Sequence, residues 1–532
     1  MRTSALGSVV ITDAHIMTQD PERPVARAVV VHDGRIEYVG TDEGARHEDR
    51  GVDERIDAKG RTVVPGFNDA HGHFFHEGML KIRLDLAEVK SLDEAYRRIA
   101  DYARANPNEE VLVAERWDES DWAKRVFPTR EGLDAATGGR AILARRVDGH
   151  TAVASTALLD IYRERWTGPT EGIHADSGLL IEEPSLEFGD MVQASPDAID
   201  HALGIMFEEA RRLGITSVQG YERVTVWKGW QRRWGTIVRS GELPPVKAAI
   251  STYTQHLDAF LDAGMMTGTG DPWLRYGGVK IFADGAIGGW SAHLAEPYQD
   301  RPETRGKQNF DDETLHDLVR RAHNAGIQVH MHVIGDAAVT QGCKAFAKVH
   351  EGDPDGFHAM RHRFEHYEFG THATHDEVER LGIVLSMQPN FVGEWSAKEG
   401  LYGDRLGERH ALTNPFRSIR DRGMPLAFGS DNMPFGPIAG IRGTMTAPYP
   451  QQRLDFDEAL EHYTRGAAYA EFLEDEKGLV REEMIGDLVI LSKDLRHEDM
   501  GDPGLLDGLD VHTTIADGRP VYSAKHVVRT PA

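Results

Sequence analysis

The sequence predicts an α/β protein built on a (β/α)8 barrel, and three observations support this fold class. Short apolar runs alternate with helical segments from residue 65 to about residue 477, which is the pattern of a parallel α/β domain. Eight such runs suit a barrel of this kind, which needs roughly 250 residues plus insertions. Chemically active side chains also close several of the runs, as expected where strand ends share one rim. The candidate strands are residues 62–73, 214–221, 245–252, 276–285, 327–336, 362–368, 383–390 and 425–431.

Short β-strands flank the barrel at both ends of the chain. Residues 1–64 contain several, with Asp33-Gly34 at a hairpin turn. Similar strands return only within residues 478–532, where Asp517-Gly518 supplies another turn. Neither set has enough strands to be stable alone, so we expect both chain ends to pair into one small composite β-sandwich.

A long insertion separates the first two candidate barrel strands. About 140 residues lie between His73 and Gly214, far more than a single connecting helix needs. We therefore predict an inserted subdomain over residues 80–205. Its aromatic residues, among them Trp122, either form a lid over the barrel mouth and contact substrate or pack the subdomain's own core.

The composition excludes several classes of function. The 532 residues carry a formal net charge of −26, which disfavours nucleic acid and anionic membranes as partners. The single cysteine, Cys343, rules out an intrachain disulfide and favours a reducing compartment. No apolar leader with a cleavage site and no 18-residue apolar run occurs, so we expect a soluble cytoplasmic protein, with a homodimer as one expected state.

The segment PGFNDAHGH (65–73) closes the first candidate strand with His71 and His73. Alternation along a strand puts both side chains on one face, as two ligands of one metal require. An isolated His-x-His pair is also consistent with ordinary hydrogen-bonded imidazoles. Further ligand-type residues, however, close later strands at spacings of one and two βα units. They are Lys280, His332, His366 and Asp431.

Four imidazoles and a carboxylate form a ligand set that suits zinc, with manganese, iron or cobalt as alternatives. The ammonium of Lys280 cannot ligate a cation, because its reference pKa is about 10.4. Carboxylation by CO2 would turn Lys280 into a carbamate whose two oxygens can bridge two metals. The alternative for Lys280 is an ion pair with a nearby carboxylate such as Asp284.

These motifs resemble the amidohydrolase superfamily, most closely its YtcJ-like (amidohydrolase 3) branch, which is similar to N-substituted formamide deformylase. PGFNDAHGH, VDGHTAVAS, KIFADGAIG, HVIGDAA, FEHYE and GSDNMP occur in the family's order and span nearly the whole chain. One segment departs from the pattern. Where many relatives read along the lines of SLGSRTA, this chain has AIGGWSAHL, so Trp290 and His293 are expected to reshape the pocket.

The resemblance implies a TIM-barrel metal centre with one or two zinc ions per chain. It implies one metal held by His71, His73 and Asp431, a second held by His332 and His366, and carboxylated Lys280 as the bridge. A hydroxide shared by the metals would attack the substrate carbonyl, whose developing charge the metals would stabilise. Asp431 would carry the proton of the attacking water to the leaving amine, which makes Asp431 and Lys280 the catalytic residues.

Four further residues are candidates for substrate binding. His150, in VDGH, faces the substrate by resemblance or lies in a surface loop. Asp284 follows Lys280 on the same strand face and either orients the substrate or starts a turn. Trp290, from the departing segment, and Trp122, from the insertion, complete the set.

The sequence thus predicts a metal-dependent hydrolase that cleaves C–N bonds of a small apolar or aromatic N-acyl or N-formyl compound. Hydrolysis of an ester, a lactone or a cyclic amide is the alternative, because the same nucleophile attacks any acyl carbon. A non-catalytic barrel that only binds metal or ligand is a more distant alternative. A structural zinc closes its shell with four ligands and needs no lysine, which argues against that last reading.

Overall fold

The computed structural model describes residues 6–119, 122–146, 151–165, 170, 172–181, 184–185, 194–240 and 246–524. The chain forms two compact units, Met1–Phe74 with Phe207–Ala532 and, separately, Phe75–Met206. No helix in the described part of the chain combines the length and apolarity that crossing a bilayer requires.

The described strands are numbered here in chain order. They are β1 (Val9–Thr12), β2 (His15–Met17), β3 (Val25–Ala26), β4 (Ala28–His32), β5 (Arg35–Gly40), β6 (Glu54–Asp57), β7 (Thr62–Pro65), β8 (Phe67–Gly72), β9 (Leu84–Asp85), β10 (Leu112–Trp117), β11 (Ile142–Arg146), β12 (Thr151–Ala154), β13 (Ile173–His174), β14 (Leu179–Ile181), β15 (Ile215–Glu222), β16 (Lys247–Tyr253), β17 (Leu274–Phe282), β18 (Val329–Val333), β19 (Arg363–His366), β20 (Val384–Met387), β21 (Leu426–Phe428), β22 (Leu488–Leu491), β23 (Val511–Ala516) and β24 (Arg519–Ser523).

The described α-helices occur in both units. They span Asp42–Glu48, Phe74–Ile82, Leu92–Ala105, Arg130–Thr137, Thr156–Arg165, Pro196–Arg212, Val224–Ser240, Leu257–Asp262, Asp312–Asn324, Asp336–Gly352, Pro354–Met360, His372–Leu381, Pro389–Trp395, Leu401–Leu406, Phe416–Asp421, Pro437–Thr446, Phe456–Glu461 and Ala467–Ala470. Short 3-10 or π-helical turns lie at Thr254–His256, Gly407–Leu412, Pro450–Gln452, His462–Gly466 and Pro503–Leu506.

Eight parallel strands, β8 followed by β15 to β21, form one nearly closed barrel sheet. The two end strands approach each other where the backbone N–H of Asp431 donates to the carbonyl oxygen of His71 at 2.8 Å. A Cβ on Gly429 would lie 2.3 Å from the backbone nitrogen of His71, so only glycine allows this approach. The predicted α/β barrel class is confirmed, and each of the eight candidate segments overlaps a barrel strand.

The helices between the barrel strands begin and end as their residues dictate. The helix Asp312–Asn324 starts where the Asp311 side chain accepts a hydrogen bond from the Thr314 backbone N–H at 2.7 Å. Its buried face includes Leu315 and Val319, which have helical spacing. Gly326 follows with φ of +70°, a left-handed conformation that glycine adopts without strain.

The first candidate strand, residues 62–73, is in fact two strands that belong to different sheets. Strand β7 pairs with β2 and β22, whereas β8 starts the barrel. The chain changes sheets at Gly66, where a Cβ would lie 2.3 Å from Thr216 Oγ1. Val63, Val64 and Phe67 look like one apolar run across this glycine in sequence, so the break becomes evident only from the packing.

Strands from both chain ends pair in one sheet beside the barrel. Strand β7 is antiparallel to β22, with Val63 opposite Ile490, in the six-stranded order β24-β23-β22-β7-β2-β3. A second sheet has the order β5-β4-β1-β6. Val9 and Val31 of this second sheet share one apolar cluster with Ile490 of the first, so each sheet buries the apolar face that it could not bury alone.

The unit Phe75–Met206 contains a six-stranded sheet of its own, in the order β13-β14-β12-β11-β10-β9. Strands β9, β10 and β11 are parallel, and β12 and β14 continue the sheet in antiparallel pairs. Trp117, Trp122 and Leu133 lie in its apolar core. Residues 80–205, predicted as an insertion, lie within this unit, and the lid role of the unit stays a prediction.

A buried ion cluster in the larger unit yields a prediction about stability. Lys247 Nζ, at the start of β16, lies 2.9 Å from Asp487 Oδ1 and 3.0 Å from Asp517 Oδ1, with all three side chains at most 5% exposed. We expect Lys247→Met to lower the free energy of unfolding by about 3–5 kcal/mol, because two buried carboxylates lose their cation. Denaturant unfolding followed by fluorescence measures the change.

The matched control for Lys247 is Arg27→Ala, which removes an exposed ion pair with Asp13. We expect this control to cost about 1 kcal/mol at most, because solvent screens such pairs. Equal, small effects of the two substitutions would contradict a structural role for the buried cluster.

Candidate metal centre

The six predicted ligands lie at or near the carboxyl ends of barrel strands. The positions are His71 in β8, His73 directly after β8, Lys280 in β17, His332 in β18, His366 at the end of β19 and Asp431 three residues after β21. Because the barrel strands are parallel, these ends share one rim, where the chemistry of such barrels takes place.

Four of these side chains converge on one small volume. The donor atoms of His71, His73 and Asp431 all lie within 4.8 Å of one another. Asp431 Oδ1 is 3.1 Å from His73 Nε2 and 3.7 Å from His71 Nε2. Lys280 Nζ lies 3.1 Å from His71 Nε2. Two imidazole nitrogens and a carboxylate at this separation can hold one divalent cation.

The other two imidazoles lie beside this group. The ring centres of His332 and His366 are 4.4 Å apart, and that of His366 is 4.8 Å from His71. The Nδ1 atoms of His332 and His366 are both buried without a hydrogen-bond partner. A buried polar atom left unpaired costs free energy, and a bound cation would remove that cost. The donor set therefore fits a borderline-soft divalent metal such as zinc.

Lys280 is completely buried and has no carboxylate oxygen within 4.0 Å in the described part of the chain. The alternative ion pair with Asp284 does not form. Instead Lys280 Nζ lies 4.2 Å from the ring centre of Tyr221. Burial lowers the pKa of Lys280 to about 8, which raises the fraction of the neutral amine, the form that reacts with CO2.

Burial also determines the protonation of the candidate ligands. It lowers the pKa of His71 to about 4, with help from the Lys280 charge, and that of His332 to about 3. For Asp431, burial opposes ionisation, but His71 and His73 lower its pKa to about 2. At neutral pH His71 and His332 are thus neutral and Asp431 is ionised, the states in which these groups bind metals.

Unusual backbone conformations occur at two of the candidate ligands. His366 and Asp431 have φ of 72° and 49°, and their neighbours Tyr367 and Asn432 have φ of 46° and 61°. Left-handed conformations cost non-glycine residues about 1–3 kcal/mol each and cluster at functional sites. The free-energy cost of these backbone conformations is therefore consistent with a functional role for the side chains of His366 and Asp431.

A buried ion pair orients His71 from behind. Glu365 Oε2 lies 2.6 Å from His71 Nδ1, and Arg363 Nε donates to Glu365 Oε1 at 2.8 Å. Burial disfavours an ionised Glu365, but Arg363 and His71 hold its pKa well below the usual range. The Glu365 carboxylate selects the tautomer in which His71 Nε2 is free to ligate. Sequence reasoning missed this pair, although opposite charges two residues apart on a buried strand were the signal.

Asp69 joins the first strand to the segment that carries Asp431. Its Oδ1 accepts hydrogen bonds from the backbone N–H groups of His71 and Ser430 at 3.1 and 2.9 Å, and its Oδ2 accepts from Ser430 Oγ at 2.5 Å. Asn432 Oδ1 accepts from the His73 N–H at 2.6 Å. Sequence reasoning missed Asp69, which shares the alternation of His71 and His73.

Of the predicted substrate contacts, Trp122 is corrected by the structure, and His150 is not among the residues that the structure describes. Trp122 is 3% exposed in the core of its unit, and its Nε1–H donates to the Val89 carbonyl at 2.8 Å. Packing therefore accounts for Trp122, because its indole is already surrounded by its own unit. His150 lies outside the described residues.

Asp284 acts within the structure as an anchor for the rim. Its carboxylate accepts hydrogen bonds from the backbone N–H groups of His293, Ile334 and Gly335 at 2.8 to 3.0 Å. Burial raises its pKa to about 7. These bonds join the segment after β17 to the end of β18, so Asp284 positions the rim beside His332.

Trp290 contacts charged residues of the rim. Its Nε1–H donates to Asp300 Oδ1 at 3.1 Å, and the guanidinium carbons of Arg301 and Arg405 lie 3.9 and 3.6 Å from its ring centre. Arg405 also pairs with Asp300. Trp290 thus joins the segment after β17 to the helix Leu401–Leu406, and its predicted substrate contact remains a proposal.

Replacing Trp290 tests this arrangement. We expect Trp290→Ala to raise KM roughly tenfold and change substrate preference, because a loosened rim misplaces the substrate, while metal content stays unchanged. Trp290→Phe keeps the ring that the guanidinium groups contact and should have a smaller effect. Metal analysis and substrate profiles measure both variants, and a loss of metal without a change in preference would contradict the assignment.

Four imidazoles, a carboxylate and a buried lysine lie together at the rim of a parallel barrel. This arrangement is typical of metal-dependent hydrolases. The chain belongs to the amidohydrolase family, whose model matches residues 54–522. It is a hydrolytic enzyme of this family, acting on carbon-nitrogen bonds other than peptide bonds.

The sequence similarity to two relatives covers nearly the whole chain. YtcJ of Bacillus subtilis (strain 168), whose name assigns it an inferred amidohydrolase activity, is 29% identical over 95% of this chain and 98% of its own. N-substituted formamide deformylase of Arthrobacter pascens is 26% identical over 91% of this chain and 93% of its own.

Solved structures support the same fold. A metal-dependent hydrolase of Pyrococcus furiosus superposes with a TM-score of 0.76 at 25% identity, over 91% of this chain and 98% of its own. The atrazine chlorohydrolase TrzN of Arthrobacter aurescens TC1, whose structure contains zinc, is 13% identical with a TM-score of 0.53, over 98% of this chain and 97% of its own. At that identity TrzN supports the fold alone.

Proposed function

We propose that this enzyme hydrolyses the amide bond of a small apolar or aromatic N-acyl compound, with N-formyl amides as the first candidates. The observation that carries the proposal is the group of His71, His73, Lys280 and Asp431 at the barrel rim. The similarity to N-substituted formamide deformylase supports the choice of N-formyl substrates.

The proposed metal ligands are His71, His73 and Asp431 for one ion, His332 and His366 for a second, and carboxylated Lys280 between them. Zinc suits this nitrogen and oxygen set best, with manganese, iron or cobalt as alternatives. When bound, such a metal supplies Lewis-acid activation of water and of the substrate carbonyl.

Asp431 and its neighbours provide the proton transfer. The Asp431 carboxylate is ionised at neutral pH, so it can accept the proton of the attacking water and deliver it to the leaving nitrogen. The acyl carbon gains the hydroxyl group, the C–N bond breaks, and the amine leaves with the proton. Glu365 and Asp69 keep His71 and the segment around Asp431 in register during this exchange.

A hydrolysis screen tests the proposal directly. Purified protein is loaded with zinc, manganese, iron or cobalt, its metal content is measured, and N-formyl, N-acetyl and N-aroyl amides are compared with matched esters and lactones. We expect more than one metal per chain and fastest cleavage of amides. Full activity of a metal-free preparation would contradict the mechanism, and cleavage of the esters or lactones alone would replace the substrate class.

Two further proposals rest on the sequence. We retain the insertion 80–205 as a proposed lid, and a cytoplasmic homodimer as the proposed state of the protein. Neither nucleic acid nor membrane is a proposed partner, since the formal net charge is −26. Light scattering measures the oligomeric state.

A further inference from the structure

The Tyr253 hydroxyl lies between the ends of neighbouring barrel strands, beside the candidate ligand His73. Tyr253 is the last residue of β16, a strand that contributes none of the six predicted ligands. Its Oη atom lies 3.1 Å from the carbonyl oxygen of Tyr221 in β15 and 3.3 Å from Nδ1 of His73, which directly follows β8. One hydroxyl group thus joins three adjacent strands at the rim that carries the candidate metal centre.

The single proton of this hydroxyl determines its role toward His73. A carbonyl oxygen can only accept a hydrogen bond, so the Tyr253 hydroxyl donates its proton to Tyr221. The hydroxyl oxygen is then the acceptor for its other partner, and the hydrogen of that bond belongs to His73 Nδ1. In a neutral imidazole the second nitrogen then has its lone pair free. That nitrogen, Nε2, lies 3.1 Å from Asp431 Oδ1, where the candidate ligands converge.

Packing alone restricts the His73 ring less than the His71 ring. The His71 side chain is fully buried, whereas that of His73 is 24% exposed, which leaves His73 more rotamer freedom. Glu365 Oε2 holds His71 Nδ1 at 2.6 Å, and the Tyr253 hydroxyl is the corresponding acceptor for His73. Each imidazole of the His-x-His pair therefore has an acceptor behind its ring, and the acceptor of His73 is a neutral group.

The residue after Tyr253 supports a second candidate ligand. Thr254 Oγ1 donates a hydrogen bond to the Lys280 carbonyl at 2.7 Å, and Tyr253 lies opposite Lys280 in the pairing of β16 with β17. The end of β16 therefore contacts the side chain of one candidate ligand and the backbone of another. A strand that carries no ligand thus helps to fix two of the proposed ones.

We propose that Tyr253 is a positioning residue for His73, because its hydroxyl accepts the Nδ1 hydrogen and so directs Nε2 towards the metal. This inference rests on the metal centre of the proposed function and deepens it. Partners behind metal-binding imidazoles fix the tautomer and the orientation of the ring, and their loss weakens metal binding. Tyr253 acts on the metal through His73 and is itself neither a ligand nor a catalytic residue.

Tyr253→Phe tests the proposal, because it removes the hydroxyl and keeps the ring. We expect zinc and cobalt to bind this variant roughly 3–10-fold more weakly in chelator competition, since the lost hydrogen bond is a neutral one. The visible absorption of the cobalt-loaded variant should also differ from that of the wild type, because it depends on the geometry of the ligands. At saturating zinc, KM for a cleaved amide should stay within about twofold of wild type, because the hydroxyl faces His73 and makes no substrate contact.

Tyr276→Phe is the matched control for Tyr253→Phe. The Tyr276 hydroxyl is buried in β17 and lies 3.3 Å from Thr252 Oγ1, so its removal also deletes one neutral hydrogen bond. This bond involves none of the proposed ligands, so metal affinity and the cobalt spectrum should match the wild type. Unchanged metal affinity and an unchanged spectrum in Tyr253→Phe would overturn the proposal. An equal loss in both variants would also overturn it, because a general loosening of the barrel would then explain the effect.

A crystal structure of the zinc-loaded wild-type enzyme decides the matter if Tyr253→Phe does not fold. We expect His73 to bind zinc through Nε2, with Nδ1 within hydrogen-bond distance of Tyr253 Oη. Ligation through Nδ1, or a His73 ring turned away from Tyr253, would overturn the inference. Weaker metal binding by Tyr253→Phe would support the inference even if no amide is hydrolysed. Amide hydrolysis together with unchanged metal binding in Tyr253→Phe would overturn the inference and leave the proposed function intact.

Discussion

Lys280→Ala is expected to lose amide hydrolysis almost completely, with a fall in kcat/KM of roughly 10³-fold or more, since metal assistance contributes several kcal/mol to the barrier. Lys280 is fully buried, lies 3.1 Å from His71 Nε2 and forms no ion pair among the described residues. Its removal therefore breaks no stabilising pair but deletes the proposed bridge. Metal analysis should find less than the wild-type metal content, and steady-state kinetics should show the loss of turnover.

Short carboxylic acids provide the decisive control for Lys280. Acetate or propionate can place a carboxylate where the carbamate would lie, so we expect partial recovery of activity and metal content in Lys280→Ala. Lys344→Ala, an exposed substitution on the helix Asp336–Gly352, should behave as wild type with and without added acid. Wild-type activity of Lys280→Ala would remove the bridging role altogether.

Glu365→Gln is expected to weaken metal binding about 10–100-fold, the usual effect of removing an outer-shell carboxylate. The variant keeps an acceptor near His71 Nδ1 but removes the charge that Arg363 and His71 share. Because the completely buried Arg363 then lacks its anion, we also expect a loss of about 3–5 kcal/mol in the free energy of unfolding. Chelator competition and denaturant unfolding measure the two effects separately.

A half-buried glutamate at the surface serves as the matched control for Glu365. Glu377→Gln removes a surface ion pair with Arg380, so it should cost about 1 kcal/mol or less and leave metal binding unchanged. If Glu365→Gln bound metal as tightly as the wild type, His71 would not depend on this carboxylate for its tautomer. That result would show that Glu365 only stabilises the barrel core and does not support the metal centre.

Local patterns were sufficient to predict the barrel and its candidate ligands. The apolar runs that became β15 to β21 are bounded by turns and helices, and each keeps its strand identity in the fold. The ligand types at their ends could be found because parallel strands bring their carboxyl ends to one rim. The first strand was less predictable, since Gly66 divides one apolar run between two sheets.

The long-range partners of the supporting residues could not be predicted from local sequence patterns. Glu365 reaches His71, which lies 294 positions earlier in the chain, and Asp69 reaches Ser430, which lies 361 positions further along. Such contacts depend on which strands become neighbours and on the register between them. Trp122 was predicted to contact substrate, but it packs in the core of its own unit. An aromatic residue in an insertion looks the same in sequence in both cases.

The sequence by itself determined the barrel class, the family resemblance and the kinds of side chain at the strand ends, because strand periodicity and ligand chemistry are local properties. Only the tertiary structure decided that Asp284 anchors the rim, that Trp290 lies against two guanidinium groups and that the Tyr253 hydroxyl contacts His73. Burial and hydrogen-bond or ion-pair partners depend on the packing of the folded chain, because the atoms involved lie far apart in sequence.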